Sequence, residues 1–255
     1  MKYVIAESPE RIFVNPSIGC VAKCAYCYLP HINSAPSSVH IEYSSEQIIE
    51  LVISSEAYIS GKLGTIISIG CYTESWYESN KQITKELIKF FVKKGNPIQL
   101  ATKRHIEETE LYDVVSLTSW DSQVGIFTSN STISNWREFE QDTIAPYERF
   151  NNFLLSKLKG IGSYLYIKPV LKGITIQDIG LYTDVIQKYS ISDVVVGSMF
   201  VPEFSSIDVK APIGDGALAY EIVPEEDVII DELSRYCKVH KNSTDIIKRI
   251  LKENR

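Results

Sequence analysis

The sequence predicts an α/β fold in which parallel strands curl into a partial (β/α)6 TIM-like barrel with a short C-terminal helical cap. Two observations lead to this prediction. Short runs rich in β-branched residues alternate with amphipathic segments of about ten residues, which is typical of βα units in a parallel sheet. The chain has 255 residues, 44% of them hydrophobic, which is enough for one full core. Right-handed crossovers between such units would produce an open barrel.

The predicted elements follow one another regularly over the first part of the chain. The predicted strands are Arg11–Asn15, Thr65–Ile69, Ile98–Thr102, Gln123–Thr128, Tyr164–Val170 and Asp193–Ser198. The helices predicted between them are Ser45–Ser54, Lys81–Lys94, Ile106–Leu111, Pro146–Leu158 and Ile176–Tyr189. Beyond Met199 an irregular stretch contains Pro202, Pro212, Gly214 and Gly216, and two closing helices are predicted at Glu225–Tyr236 and Ser243–Lys252. We expect a barrel over residues 1–200, with a cysteine-rich loop at 17–30, and a C-terminal extension over 201–255 that packs on the same domain.

Composition and charge narrow the functional classes. The 26 basic and 32 acidic residues give a formal net charge of −6, which disfavours DNA or an anionic membrane surface as a partner. The sequence has no apolar run long enough to span a membrane, and its first residues lack the pattern of a signal peptide. Five cysteines are present and three fall within eight positions, which suits a metal site better than a disulfide framework. We therefore expect a cytoplasmic protein.

The polar residues that follow the predicted strands are candidates for the functional site. The carboxyl ends of parallel strands share one rim of a barrel, and the chemistry of such folds is found there. The cysteine-rich loop follows the first predicted strand, and the segments after the next three strands are Gly70–Glu74, Lys103 and Thr128–Asn130. These segments are expected to lie close together.

The cysteine-rich loop carries the strongest chemical signal. Cys20, Cys24 and Cys27 have the spacing C-x3-C-x2-C, and three thiolates so spaced can bind three corners of a [4Fe–4S] cluster, which leaves the fourth iron open. The alternative is a non-catalytic zinc-binding module in which His31 or His40 supplies a fourth ligand. Structural zinc sites usually contain two separate C-x2-C pairs, and the sequence has no second pair.

This loop, with an aromatic residue before its third cysteine, resembles the signature of the radical S-adenosylmethionine (radical SAM) superfamily. Over roughly residues 10–175 the chain is further similar to the spore photoproduct lyase-like group. The segments that carry this similarity are Gly70-Cys71-Tyr72-Thr73-Glu74, Thr102-Lys103, Phe127-Thr128-Ser129-Asn130-Ser131, Phe139-Glu140 with Thr143 and Arg149, and Lys168-Pro169-Val170.

The resemblance implies an enzyme with a [4Fe–4S] cluster and S-adenosyl-L-methionine as cofactors. It would cleave the cofactor reductively to a 5′-deoxyadenosyl radical and abstract hydrogen from an organic substrate. The cofactor-binding residues implied are Tyr26 against the adenine, Thr73 and Glu74 at the ammonium, Lys103 at the carboxylate, and Thr128 and Asn130 at the ribose or amino acid moiety. Each has a structural alternative, such as a solvated loop for Lys103 or a strand-end position for Thr128.

The resemblance also implies a catalytic group that returns a hydrogen atom to the product radical. Cys71 occupies the corresponding position, and Tyr28 and Tyr72 are candidates to extend the relay. A buried structural role for Cys71 is an equally good interpretation, because free cysteine often packs as a small hydrophobic residue.

These motifs do not specify the substrate or the partners, because proteins that share a fold can act on different substrates. A small molecule, a nucleoside or a peptide is compatible with them, together with an electron donor such as flavodoxin or ferredoxin. A DNA photolesion repair lyase acting on thymine dimers is an alternative, which the net charge of −6 and the short C-terminal part disfavour.

Overall fold

The computed structural model describes residues 2–8, 10–32, 38–202, 213 and 218–253. The predicted fold class is confirmed: an open, mostly parallel sheet of eight strands is combined with helices. The strands are β1 (Val4–Ser8), β2 (Arg11–Val14), β3 (Ile66–Ile69), β4 (Ile98–Thr102), β5 (Val124–Ser129), β6 (Ile161–Ile167), β7 (Asp193–Val196), β8 (Met199–Pro202), β9 (Leu218–Glu221) and β10 (Lys238–His240).

The helices lie between and after the parallel strands. They are α1 (Ser45–Ile53), α2 (Lys81–Lys93), α3 (Tyr112–Val115), α4 (Trp136–Phe139), α5 (Pro146–Arg149), α6 (Ile179–Tyr189), α7 (Glu225–Leu233) and α8 (Ser243–Glu253). Short 3-10 segments occupy Leu29–His31, Glu108–Leu111, Phe150–Lys157 and Thr175–Asp178. No helix in these described ranges is long and apolar enough to cross a membrane.

The main sheet has the order β1-β2-β3-β4-β5-β6-β7-β10. Only the β1–β2 pair is antiparallel, and every other pair in this sheet is parallel. Strands β3, β5 and β7 are buried along their whole length, as expected when helices cover one face and the curled sheet encloses the other. A separate antiparallel pair is formed by β8 and β9.

Local sequence explains where the well-predicted helices begin and which face they bury. Helix α1 starts after Ser44, whose side chain accepts the Gln47 N–H while the Gln47 side chain accepts the Ser44 N–H, a capping box. Helix α2 buries one stripe that includes Leu87, Ile88 and Phe91, and presents its lysines on the other face.

The structure differs from the sequence-based expectation at several places. The fifth predicted strand lies earlier, at Ile161–Ile167, because Pro169 has no N–H to donate to a ladder. The helix predicted at Pro146–Leu158 divides into α5 and a 3-10 segment. Strands β1, β8, β9 and β10 were not predicted. Strands β1 and β10 are the two edges of the main sheet and β8 and β9 form the separate pair, and none of the four is a continuous β-branched run like those of the inner strands β3 and β7.

The C-terminal part joins the sheet as well as covering it. Strand β10 pairs in parallel with β7, and the helical cap consists of α7, which contacts α6, β7 and β10, and α8, which contacts β10. Pro212, Gly214 and Gly216, which were expected to mark an irregular stretch, lie outside the described residues. The boundary between barrel and extension at residue 200 stays a prediction.

Candidate cluster and cofactor site

The concave face of the sheet encloses a cavity of about 260 Å³. It is lined by the cysteine-rich loop, by residues at the carboxyl ends of β3, β4 and β5, and by side chains from β2, β6 and the C-terminal part. Parallel strands place these ends on one rim, so residues distant in sequence share a single enclosed space.

Backbone contacts on two sides hold the cysteine-rich loop in place. On one side, the Gly19 N–H donates to the Tyr72 carbonyl at 3.0 Å, and on the other the Ala25 N–H donates to the Phe139 carbonyl at 2.9 Å. Gly19 has a φ of +91°, a conformation that favours glycine at this turn. The loop is therefore anchored to the segment after β3 and to the segment around α4.

The structure brings the three loop cysteines to the same cavity. Cys20, Cys24 and Cys27 are free, partly buried and line its wall. Burial raises the pKa of the Cys20 thiol to about 11 and also raises the pKa of Cys24 and Cys27, where the positive charge of Lys103 opposes the effect. A metal centre that binds thiolates would therefore displace protons when it enters.

The donor set fits a cluster held through three corners. A [4Fe–4S] cluster distributes its protein ligands over separate irons, and three thiols from one loop meet that need. Among the described residues, no group of three or more His, Cys, Asp or Glu side chains is placed to hold a single metal ion. His31 and His40, the candidate zinc ligands, are exposed residues, and the side chain of His40 bonds Ser38 at 3.1 Å.

Glu74 lies at the carboxyl end of β3 with its carboxylate oriented by three donors. Its Oε1 accepts the Thr102 hydroxyl at 2.6 Å and the Trp76 N–H at 3.1 Å, while its Oε2 accepts the Lys103 N–H at 2.7 Å. A carboxylate has about four acceptor positions, so one direction stays available. Thr73 is buried beside it, and its Oγ1 lies 2.9 Å from the Ser17 Oγ. Both residues line the cavity.

Lys103 places a positive charge at the rim beside the cysteines. Its Nζ donates to the Ser129 Oγ at 3.0 Å and lies 5.5 Å from the centre of the Tyr26 ring. Burial by itself lowers the pKa of Lys103, but the negative charges of Cys24 and Glu140 outweigh it, so the pKa lies above its ordinary value. The side chain is therefore held in its charged form.

A buried ion pair supports Tyr26 from behind. The Tyr26 hydroxyl donates to Oε1 of Glu140, and the other oxygen of that carboxylate pairs with Arg149. Arg149 also donates to the carbonyls of Ile144 at 2.8 Å and Ser129 at 2.9 Å. Both charged side chains are fully buried, which requires such complete pairing. Glu140 and Arg149 both belong to a segment that carries the family resemblance, but nothing in the sequence indicated the contact of Glu140 with Tyr26.

Neither Thr128, near the end of β5, nor Asn130, directly after it, is among the described residues that line the cavity. Phe127 and Ser129 line the cavity, so Thr128 between them lies on the opposite face, where its Oγ1 is buried and has no hydrogen-bond partner among the described residues. Asn130 is fully buried, and its Oδ1 accepts from Arg149 at 3.4 Å. Their roles toward the cofactor stay predictions. Side chains alternate between the two faces of a strand, and this alternation was the sequence signal that would have placed Ser129 on the cavity side.

Cys71 lines the same cavity as the loop cysteines, and Asn15 holds its thiol. The Asn15 Nδ2 lies 3.3 Å and its Oδ1 3.4 Å from the Cys71 Sγ, and the same Oδ1 accepts the Tyr72 N–H at 2.7 Å. The Tyr28 hydroxyl donates to the Cys71 carbonyl. The Tyr72 side chain is buried in the hydrophobic core and is not among the cavity-lining residues of the described part of the chain. Sequence reasoning did not identify Asn15.

Comparison with known proteins shows what this arrangement is similar to. No family model and no curated protein matches the sequence. Among solved structures, spore photoproduct lyase complexed with dinucleoside spore photoproduct aligns with a TM-score of 0.64 at 13% identity, over 88% of this chain and 74% of that one. A cysteine-to-serine variant of spore photoproduct lyase aligns with a TM-score of 0.68 at 12% identity, over 94% of this chain and 78% of that one.

A second protein, which is bound to a precursor peptide in one of its structures, has a similar fold. Streptococcus suis SuiB bound to S-adenosylmethionine aligns with a TM-score of 0.59 at 12% identity, over 92% of this chain and 50% of that one. This chain therefore spans about half of SuiB. Both SuiB and spore photoproduct lyase are radical SAM enzymes. At these identities the comparisons establish a shared fold.

Proposed function

We propose that this chain is a radical SAM enzyme of the spore photoproduct lyase-like kind, which acts on an organic substrate bound in the cavity. One observation carries the proposal. Cys20, Cys24 and Cys27, spaced C-x3-C-x2-C, line the same cavity as Lys103 and Glu74, within a fold shared with two radical SAM enzymes.

The loop cysteines would hold a [4Fe–4S] cluster through three of its irons. When bound, the cluster and S-adenosylmethionine supply a one-electron reduction that breaks the sulfonium S–C5′ bond and yields methionine and a 5′-deoxyadenosyl radical. The chain's own contribution is to keep both groups in an enclosed space and to orient them. Such positioning also protects a reactive species from water.

Charged and aromatic groups at the rim would position the cofactor. Lys103 is oriented by Ser129 to meet a carboxylate. Glu74 has one acceptor direction left for an ammonium, next to the cavity-lining Thr73. Tyr26 presents an aromatic face, and its hydroxyl is fixed by Glu140, so the ring is held for stacking on adenine. Thr128 and Asn130 would act from behind this surface, through the end of β5.

Cys71 would donate a hydrogen atom to the product radical. In this step the S–H bond breaks, a C–H bond forms on the product and a thiyl radical stays on the protein. The contact with Asn15 orients the thiol and the location on the cavity wall gives it access to a bound molecule. Tyr28, whose hydroxyl bonds the Cys71 carbonyl, is the nearer relay candidate. Tyr72 would act from within the core.

Anaerobic reconstitution with iron and sulfide tests the proposal. The reconstituted protein, reduced with dithionite in the presence of S-adenosylmethionine, is expected to release 5′-deoxyadenosine and methionine, measured by chromatography with mass detection. The Cys237→Ala variant is the matched control, because that cysteine lies outside the loop. A brown, fully loaded protein that forms no 5′-deoxyadenosine, or a colourless one that binds zinc instead, would contradict the proposal.

A further inference from the structure

Two cations from distant strands line the same cavity. Arg11 is the first residue of β2, and Lys168 directly follows β6. Three strands, β3, β4 and β5, separate β2 from β6 in the sheet. The curl of the sheet therefore brings both positive charges to one enclosed space.

No acidic side chain in the described part of the chain forms an ion pair with either cation. Among the residues that the structure describes, their close partners are aromatic rings: the Arg11 guanidinium carbon lies 4.3 Å from the centre of the Phe13 ring, and the Lys168 Nζ lies 5.2 Å from that of Tyr220 and 5.9 Å from that of Phe200. Aromatic faces attract cations but leave their charge unbalanced.

The two described carboxylates whose charges act on Lys168 bond other groups. Glu226 and Asp245 act on Lys168 only through their longer-range fields. Glu226 accepts the Ser198 hydroxyl at 3.3 Å and the Val223 N–H at 3.3 Å, and Asp245 accepts the Asn242 N–H at 3.2 Å. By contrast, the carboxylates of Glu140 and Glu74 act on Lys103 at the rim.

The two charges are close enough to influence each other. Burial, and after it the positive charge of Arg11, lowers the pKa of Lys168 to about 8. A pair of like charges in a partly buried site raises the free energy of the folded state, and an anion placed between them would relieve this repulsion.

A glycine makes room for the lysine. A Cβ atom at Gly197 would lie 3.1 Å from the Lys168 Cδ and 3.2 Å from its Nζ. It would also lie 3.2 Å from the Lys241 carbonyl oxygen, so a larger residue here would press on the lysine side chain and on this backbone group. The position of Lys168 is thus built into the fold from a second element, the end of β7.

An unsatisfied acceptor completes the arrangement. Gln99 on β4 lines the cavity with 6% of its surface exposed, and its Nε2 donates to Ser68. Its Oε1 is buried and has no hydrogen-bond partner among the residues that the structure describes. Buried polar atoms are nearly always paired, so this oxygen is suited to a donor on a bound molecule.

We propose that the substrate of this cavity carries an oxyanion, a carboxylate or a phosphate, which binds between Arg11 and Lys168, and that an N–H or O–H group near it donates to Gln99. Arginine offers a planar fork to such an oxyanion and lysine a point charge. The inference rests on the proposed function for the statement that the bound molecule is a substrate, and it narrows that substrate to an anionic organic compound.

Binding of simple anions tests the site directly. Inorganic phosphate and acetate are titrated by calorimetry into anaerobically reconstituted protein saturated with S-adenosylmethionine, in low-salt buffer at pH 7. We expect at least one of them to bind, and the preferred one identifies the oxyanion. The Arg11→Gln and Lys168→Met variants should each weaken binding about tenfold or more, since a hydrogen bond to a charged group is lost. Lys172→Met, at an exposed position of the same segment, is the matched control.

Each result decides the inference. No binding of either anion at concentrations on the order of 10 mM would overturn it. Equal weakening in all three variants would also overturn it, as would anion binding that occurs only when S-adenosylmethionine is left out, which would assign the cations to the cofactor. A lower melting temperature with unchanged anion binding would show that the cations act only in packing. The same samples are assayed for 5′-deoxyadenosine, so anion binding without this product removes the radical SAM proposal but leaves the anion site.

Discussion

The Arg149 Nη1 lies 2.5 Å from the Glu140 Oε2, and both side chains are completely buried. The second oxygen of this carboxylate receives the Tyr26 hydroxyl, so the ion pair connects the core behind β5 with the wall of the cavity. Water cannot reach a charge buried this deeply, so a charge that loses its ion-pair partner here stays unsolvated.

We therefore expect Glu140→Ala to lower the free energy of unfolding by about 3–5 kcal/mol, because Arg149 is left as an uncompensated buried charge. Urea unfolding under anaerobic conditions measures the change. The Glu140→Ala/Arg149→Met double variant should lose less free energy of unfolding than the two single variants lose together. Asp142→Ala, which breaks the exposed Lys23–Asp142 pair at 2.9 Å, is the control and should cost less than about 1 kcal/mol. Equal losses at both sites would contradict this account.

The loop cysteines should be separable from the other two by iron content. Replacing any one of Cys20, Cys24 and Cys27 by alanine is expected to abolish iron–sulfur loading and 5′-deoxyadenosine formation, because each is assigned to a different iron. Cys237→Ala should load like the unaltered protein. Iron and sulfide analysis with visible absorption measures both. Full loading after loss of one loop cysteine would show that the cluster has another ligand.

The Cys71→Ala variant should still cleave S-adenosylmethionine but should no longer donate a hydrogen atom to the product radical. We expect unchanged iron content and 5′-deoxyadenosine formation within about twofold in the absence of substrate, because Cys71 acts only after the substrate radical has formed. Asn15→Leu should give the same cluster loading, since its amide contacts Cys71 and Tyr72 and no loop cysteine. Loss of the cluster in Cys71→Ala would instead assign this thiol to the metal centre.

Substitutions of the adjacent residues Thr128 and Ser129 should affect cofactor binding and stability differently. Ser129→Ala should raise the Kd for S-adenosylmethionine about threefold to tenfold, because its hydroxyl orients Lys103. Thr128→Val should change that Kd by less than about twofold, because the side chain acts only from behind the cavity wall. It should raise the free energy of unfolding by about 1 kcal/mol, because it removes a buried hydroxyl that has no hydrogen-bond partner among the described residues. Calorimetry and urea unfolding measure the two quantities. A weaker Kd for Thr128→Val would instead support the role assigned from the sequence.

The lowered pKa of Lys168 predicts how stability depends on pH. Because the folded pKa is about 8 and the ordinary value 10.5, the unfolded chain binds more protons between these values, and stability rises as pH increases through this window. Lys168→Met should lack that rise. The free energy of unfolding of the unaltered protein relative to this variant should increase by about 1–3 kcal/mol from pH 7 to pH 10. The difference between the two proteins removes the contribution of other titrating groups, and a constant difference would refute the prediction.

Sequence reasoning was most successful for the helices with an amphipathic pattern and for the inner strands rich in apolar residues. Helices α1 and α2 and strands β2 to β5 lie within a residue of their predicted bounds. It missed β1 and β10, which are held by pairing with β2 and β7. In such short strands the stabilising contacts come from the partner strand and are not encoded in the strand itself.

Within the site, connectivity could predict which loops meet but not which side chains face inward. Lys103, Glu74 and Cys71 line one cavity, as expected because the carboxyl ends of parallel strands share a rim. Thr128 and Ser129 could not be separated in this way, since a shift of one residue along a strand exchanges its two faces. That choice depends on the direction in which the sheet curls.

From its amino acids alone, the chain specifies a parallel α/β fold and a trio of thiols suited to an iron–sulfur cluster, because both depend on spacing along the backbone. Three relationships depend on the curled shape of the sheet: Arg11 and Lys168 line one cavity, Glu140 and Arg149 support Tyr26, and Ser129 rather than Thr128 faces the cavity. These relationships join residues more than a hundred positions apart or on opposite faces of one strand. No local pattern records such distances, so they become visible only once the barrel has formed.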